Sequence, residues 1–171
     1  MKDMIREVKD FPKTGVVFRD IFPLLYNHFP EVIDDLSKKI EIPASIEYFA
    51  GVESRGFIFA AALAYKLHKG FIPIRKAGKL PPPFIKQDAK TEYSQISLEM
   101  PKCPSKEPGR IFLVDDLVAT GGTILASWKL SKSSGYYPIG ALALINLPKL
   151  NHPELHKLIG FKFKSLFDYE E

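Results

Sequence analysis

The chain has 171 residues, enough for one domain with a substantial hydrophobic core. With 46% hydrophobic and 26% charged residues, its composition excludes wholesale disorder. The net charge of +4 is spread over scattered lysines rather than gathered into a basic stripe, which argues against a nucleic-acid binder and suits small anionic ligands.

Residues 31–40 set Val32, Leu36 and Ile40 four apart with Ile33 beside them, predicting an amphipathic helix closed by Pro43. A strand is predicted over 45–52, then a small-residue helix over 56–69 that stops at Gly70. Residues 71–76 read as a strand, and Pro73 points to an end or edge position. Residues 77–92, rich in Pro, Gly and Lys, lack a period and read as a long loop, of the kind that is functional or disordered. Strand character returns over 93–100, and a turn-rich connection follows over 101–109. The continuous apolar run 110–115 predicts a buried strand. A helix over 122–134 is stopped by Gly135, and a second buried strand runs over 137–147. A short helix over 152–160 and a strand over 161–167 complete the chain.

Alternating strands and helices predict a single α/β domain over 1–171 with a mainly parallel sheet. Ligands of such sheets bind beyond the carboxyl ends of strands, which singles out the loops 51–56, 75–92 and 115–123. Cys103 is the sole cysteine, so an intrachain disulfide is excluded and a reducing compartment is favoured. The start "MKDMIREVKDF" lacks the apolar core of a secretory signal, and the run "FIFAAALAY" (57–65) is too short to span a bilayer. The expectation is a cytoplasmic protein without a membrane or nucleic-acid partner.

Five segments carry chemistry. In "IFLVDDLVATGGT" (111–123), Asp115 and Asp116 end an apolar run and a Thr/Gly turn follows. Gly121 and Gly122 free the backbone so that successive N–H groups can surround an anion, with Thr120 and Thr123 as further donors. The plainer alternative is a tight strand-to-helix turn with a carboxylate cap. In "GVESRGF" (51–57) a loop again meets a helix start, with Arg55 as a charged donor, or else simply caps that helix. "IRKAGKLP" (74–81) clusters Arg75, Lys76 and Lys79, either as a solvated basic loop or as an anion clamp. "FPKTGVVFRDIFPLL" (11–25) reads as packing, with Arg19–Asp20 as a surface ion pair. "TEYS" (91–94) offers Glu92 as an isolated loop carboxylate.

Taken in chain order, from about residue 11 to the C-terminus, these segments resemble the phosphoribosyltransferases, and 11–25 with 51–57 resembles the adenine-specific members. The resemblance implies the type I phosphoribosyltransferase fold: a mainly parallel sheet flanked by helices, a hood over about 1–30 and a flexible catalytic loop over about 77–92. It implies transfer of phosphoribose from 5-phosphoribosyl 1-pyrophosphate to adenine, giving AMP and pyrophosphate in purine salvage. Asp115 and Asp116 then hold the ribose hydroxyls, and Ala119, Thr120, Gly121, Gly122 and Thr123 the 5′-phosphate. Arg55, Arg75, Lys76 and Lys79 bind pyrophosphate. Val17, Phe18 and Arg19 bind adenine, and Glu92 is the acid/base. Mg²⁺ arrives with the substrate and takes no direct protein ligand. In some members the pyrophosphate segment acts across a subunit interface, which implies a homodimer, and the 51–57 loop often holds a non-proline cis peptide. The chain departs from the family pattern at Thr14, Pro82 and Ser94, where Pro, Gly and Gly are usual. Two rivals stand beside this reading: a transferase for another base, and a non-enzymatic sensor of the ribose phosphate.

Overall fold

The computed structural model describes residues 1–90, 95–158 and 162–170. They divide into two units, Met1–Lys38 and Lys39–Glu171.

In the first unit, strands β1 (Arg6–Lys9) and β2 (Val17–Asp20) form an antiparallel pair with Glu7 opposite Arg19. Helix α1 (Phe22–Lys38) follows. The predicted amphipathic helix is only its second half, with Val32, Ile33 and Leu36 buried. The first half lay hidden behind Pro23 and Pro30 in the sequence. Pro30 has no N–H to offer the Tyr26 carbonyl, and the backbone leaves helical geometry at His28 (φ −138°, ψ 29°).

The second unit is a seven-stranded sheet. Its strands are β3 (Tyr48–Val52), β4 (Gly70–Lys76), β5 (Phe84–Lys90), β6 (Gln95–Pro101), β7 (Gly109–Val118), β8 (Tyr136–Asn146) and β9 (Phe163–Asp168), in the order β5-β6-β4-β3-β7-β8-β9. Strands β4, β3, β7, β8 and β9 are parallel, while β6 runs antiparallel to both β4 and β5. Helix α2 (Gly56–Lys66) links β3 to β4, α3 (Gly122–Ser133) links β7 to β8, and α4 (Pro153–Leu158) precedes β9. β7 reads as unbroken apolar sequence because Ile111, Phe112, Leu113 and Val114 are all buried.

One expectation is corrected. Residues 84–90 are not loop: Phe84 to Lys90 pair with Pro101 to Gln95, leaving 77–83 as the connection. Their apolar residues are confined to Phe84, Ile85 and Ala89, too few for a visible period after Pro81–Pro83. Pro73 stands in the middle of β4, and the expected edge position holds locally, because β4 is paired there only on its β3 side. The ladder to β6 involves only Arg75 and Lys76, past the proline that lacks a donor, while Pro73 sits opposite Gly51 on the β3 side. Among the described residues no helix is long and apolar enough to cross a membrane.

Candidate active site

From β3 the chain crosses through α2 to β4 on one side, and from the adjacent β7 through α3 to β8 on the other. Right-handed crossovers in opposite directions put α2 and α3 on opposite faces of the sheet. A crevice therefore opens beyond the carboxyl ends of β3 and β7, where the strand order reverses. The segments 53–55 and 119–121 border it.

Two glycines bring α2 flush against this edge. A Cβ on Gly51 would lie 2.8 Å from Ala60 Cβ, and one on Gly56 would lie 2.8 Å from the Val114 carbonyl oxygen and 3.1 Å from Asp115 Oδ1. Asp115 and Asp116 belong to β7 itself, whose carboxyl end runs three residues beyond the predicted strand, and are 7% and 8% exposed. The Asp116 N–H donates to Asp115 Oδ1 at 2.9 Å. Arg55 Nη2 lies 2.6 Å from Asp116 Oδ2. Burial, then the neighbouring Asp116, pushes the Asp115 carboxyl well above the ordinary range, with Arg55 opposing. Adjacent buried carboxylates form an acceptor site, suited to a ligand that brings hydroxyls.

The turn after β7 has the opposite character. Gly121 takes left-handed geometry (φ +84°), and α3 starts at Gly122. The first-turn N–H groups of a helix have no acceptor within it, and no side chain caps α3. Gly122 N–H approaches Thr120 Oγ1 only at 3.4 Å. The stretch 119–123 thus presents donors and the positive end of a helix dipole, the setting for a phosphate.

The basic segment is tied to the other border by a residue that sequence reading did not select, Glu53. Its Oε1 accepts from Lys79 Nζ at 2.6 Å and its Oε2 from the Lys76 N–H at 2.9 Å; Arg75 Nε lies 3.4 Å from Oε2. The Lys79 hydrogen bond, then that of Lys76, holds the Glu53 carboxyl down at about 2 against its partial burial. Arg75, Lys76 and Lys79 are therefore brought to the 53–55 turn, where the Glu53–Ser54 peptide is cis. The available signal was a carboxylate inside a loop otherwise read as anion-binding, the same contradiction that Asp115 and Asp116 present.

Val17, Phe18 and Arg19 lie on β2 in the first unit. Arg19, 4% exposed, pairs with Glu7 at 2.5 Å, and Asp20 with Arg6 at 2.8 Å, so the expected Arg19–Asp20 pair is replaced by two cross-strand pairs. Phe18 packs edge-on against Phe11, with ring centres 5.1 Å apart. Glu92 lies outside the described residues.

A family model described as the phosphoribosyl transferase domain matches residues 24–169. An adenine phosphoribosyltransferase of Bdellovibrio bacteriovorus is 46% identical over 153 residues, 88% of this chain and 90% of that protein. The crystal structure of adenine phosphoribosyltransferase from Thermoanaerobacter pseudethanolicus superposes with a TM-score of 0.89 at 42% identity, covering 98% of this chain and 97% of that one. That of the Saccharomyces cerevisiae enzyme, complexed with an imino-altritol bisphosphate and adenine, superposes with a TM-score of 0.84 at 29% identity, covering 97% and 96%. A crevice of acceptors beside donors at the strand-order switch, set in a chain matched almost end to end by these proteins, belongs to the adenine phosphoribosyltransferases of the phosphoribosyltransferase family.

Proposed function

We propose that the protein transfers phosphoribose from 5-phosphoribosyl 1-pyrophosphate to adenine, releasing AMP and pyrophosphate. The observation that carries this reading is the order of chemistry along 115–123: two buried carboxylates, then an uncapped helix start. A ribose 5-phosphate offers hydroxyls to the first and a phosphate to the second.

In this reading Asp115 and Asp116 accept from the ribose hydroxyls, while Ala119, Thr120, Gly121, Gly122 and Thr123 hold the 5′-phosphate. Arg55, Arg75, Lys76 and Lys79 bind pyrophosphate as its bond to C1′ breaks and charge builds on it. Adenine N9 attacks the same carbon. Val17, Phe18 and Arg19 hold the purine, with the Phe18 ring stacked on it, and Glu92 takes its proton. The protein thus works chiefly by placing two reactants and neutralising a leaving group. Mg²⁺ fits as a passenger of the substrate, since it keeps several waters and binds substrate oxygens, which leaves Asp115 and Asp116 to the ribose hydroxyls. When bound it would neutralise substrate oxygens.

We further propose a homodimer working in the cytoplasm, with residues 1–30 as a hood in one functional domain. Helix α2 is apolar all round in sequence. Phe59, Ala60, Leu63 and Ala64 are buried, whereas Ile58 and Tyr65 are 42% and 87% exposed and Phe71 on β4 is also exposed. An all-apolar helix in water calls for a cover on its second side, and a second copy of the chain supplies it.

The test is turnover with adenine, guanine, hypoxanthine and xanthine in the presence of Mg²⁺ and phosphoribosyl pyrophosphate. Adenine is expected to be preferred by at least about a hundredfold in kcat/KM, because a site built to hydrogen-bond one edge rejects another strongly. Preference for a 6-oxopurine would replace the base assignment and leave the ribose-phosphate site standing.

A further inference from the structure

Resting on the reading above, we propose that Glu53 and Glu99 are positioning residues for pyrophosphate: they fix the backbone of 75–79 from which Arg75, Lys76 and Lys79 project.

Every residue of this segment is tied down. The Arg75 guanidinium donates to the Lys79 carbonyl at 2.9 Å. The Lys76 N–H donates to Glu53 Oε2 and the Gly78 N–H to Glu99 Oε1, both at 2.9 Å. The Ala77 N–H donates to the Ser97 carbonyl at 2.9 Å. Lys79 Nζ donates to Glu53 Oε1 at 2.6 Å. The two carboxylates come from opposite sides, Glu53 from the turn after β3 and Glu99 from β6, where it faces Arg75 across the ladder.

Glu99 is costly where it stands. It is 3% exposed, and its Oε2 makes no hydrogen bond. A leucine would fill the space without the cost of taking a carboxylate out of water. Its retention is explained by charge: three cations within five residues repel one another, and two fixed carboxylates keep the turn from splaying. Gly78, at φ +84°, lets its N–H turn toward Glu99.

Glu53 divides its labour between its oxygens. One holds a backbone N–H, which cannot move without the turn. The other holds an ammonium whose side chain is 48% exposed. Lys79 can therefore swing from Glu53 to an arriving pyrophosphate while the Lys76 anchor stays in place.

The experiment measures pyrophosphate binding by calorimetry, together with KM for each substrate, in wild type and in Glu53→Ala, Glu53→Gln and Glu99→Leu. Pyrophosphate affinity and KM for phosphoribosyl pyrophosphate are expected to worsen about tenfold in Glu53→Ala and Glu99→Leu, the worth of a charge-assisted hydrogen bond. KM for adenine should stay within about twofold, a split that a purely structural defect does not produce. Glu53→Gln keeps an acceptor for Lys76 and should recover part of the loss. Unchanged pyrophosphate affinity, or equal losses for both substrates that follow a fall in Tm, overturns the inference. A wild-type protein that binds no pyrophosphate overturns the parent reading as well.

Discussion

Gly56→Ala tests whether the contact between α2 and β7 sets the crevice. The new Cβ would fall 2.8 Å from the Val114 carbonyl oxygen and 3.2 Å from Asp115 Cα, both backbone atoms that no side-chain rotation can clear. Restoring an ordinary contact of 3.4 Å requires α2 to back away by about 0.6 Å. Overpacking of this kind costs about 1–3 kcal/mol, or about 2–12 °C in Tm for a chain of this size. The displacement is applied one residue from Arg55, which lies 2.6 Å from Asp116. Because a 1 Å misplacement costs on the order of a hundredfold, kcat/KM for phosphoribosyl pyrophosphate should fall about tenfold. Gly135→Ala is the control. Unlike Gly56, Gly135 has left-handed geometry (φ +87°), so an alanine there is strained by its own backbone while meeting only Cys103 Cβ at 3.2 Å. It should lower Tm by a few degrees, at about 1–2 kcal/mol of strain, with unaltered kcat/KM. Thermal melts and steady-state kinetics read both variants. Wild-type Tm in Gly56→Ala refutes the close contact, and a lowered Tm with full kcat/KM refutes its link to the crevice.

Asp115→Asn should stabilise the fold near neutral pH. Burial raises the Asp115 carboxyl in the folded state, so its ionisation weakens folding as pH climbs from the ordinary aspartate range through that raised value. The gain in Tm, about 2–4 °C per kcal/mol recovered, should vanish below about pH 4, where both forms are neutral; a lower Tm at neutral pH contradicts the burial argument. Asp116→Asn should weaken phosphoribosyl pyrophosphate binding about tenfold or more, and an unchanged Kd would defeat the ribose assignment. Glu92→Gln should cut kcat about a hundredfold while affecting substrate affinity little; wild-type turnover removes Glu92 from the mechanism. Ile58→Asp with Tyr65→Asp should convert a dimer to a monomer in sedimentation, and a doubly charged variant that remains dimeric places the interface elsewhere.

What the sequence discloses depends on how far apart the cooperating residues lie. Asp115 through Thr123 are consecutive, so acceptors, turn and helix start can be read together from one line of text. Glu53 meets Lys79 across 26 residues, because β3 and β4 end side by side, and Glu99 meets Gly78 across 21. No local pattern marks such pairs, and a lone glutamate in a loop reads as solvated. The strand over 84–90 escapes notice because three prolines precede it and its exposed residues Lys86 and Asp88 sit among few apolar ones. The start of α1 is masked by Pro23 and Pro30, which are poor evidence for a helix even where one exists.

Both β5 and β6 lie against α3, and Gln87 and Asp88 share a hollow of about 210 Å³ with Gly122, Leu125 and Ala126. The ribbon that leads to the proposed proton carrier is therefore footed on the same helix whose first turn is the proposed phosphate cradle. A substitution at Leu125 or Ala126, distant in sequence from Glu92, would shift the ribbon relative to the phosphate cradle rather than disturb either alone. One shared foundation means that drift of the helix carries the phosphate cradle and the strands flanking the proton carrier together.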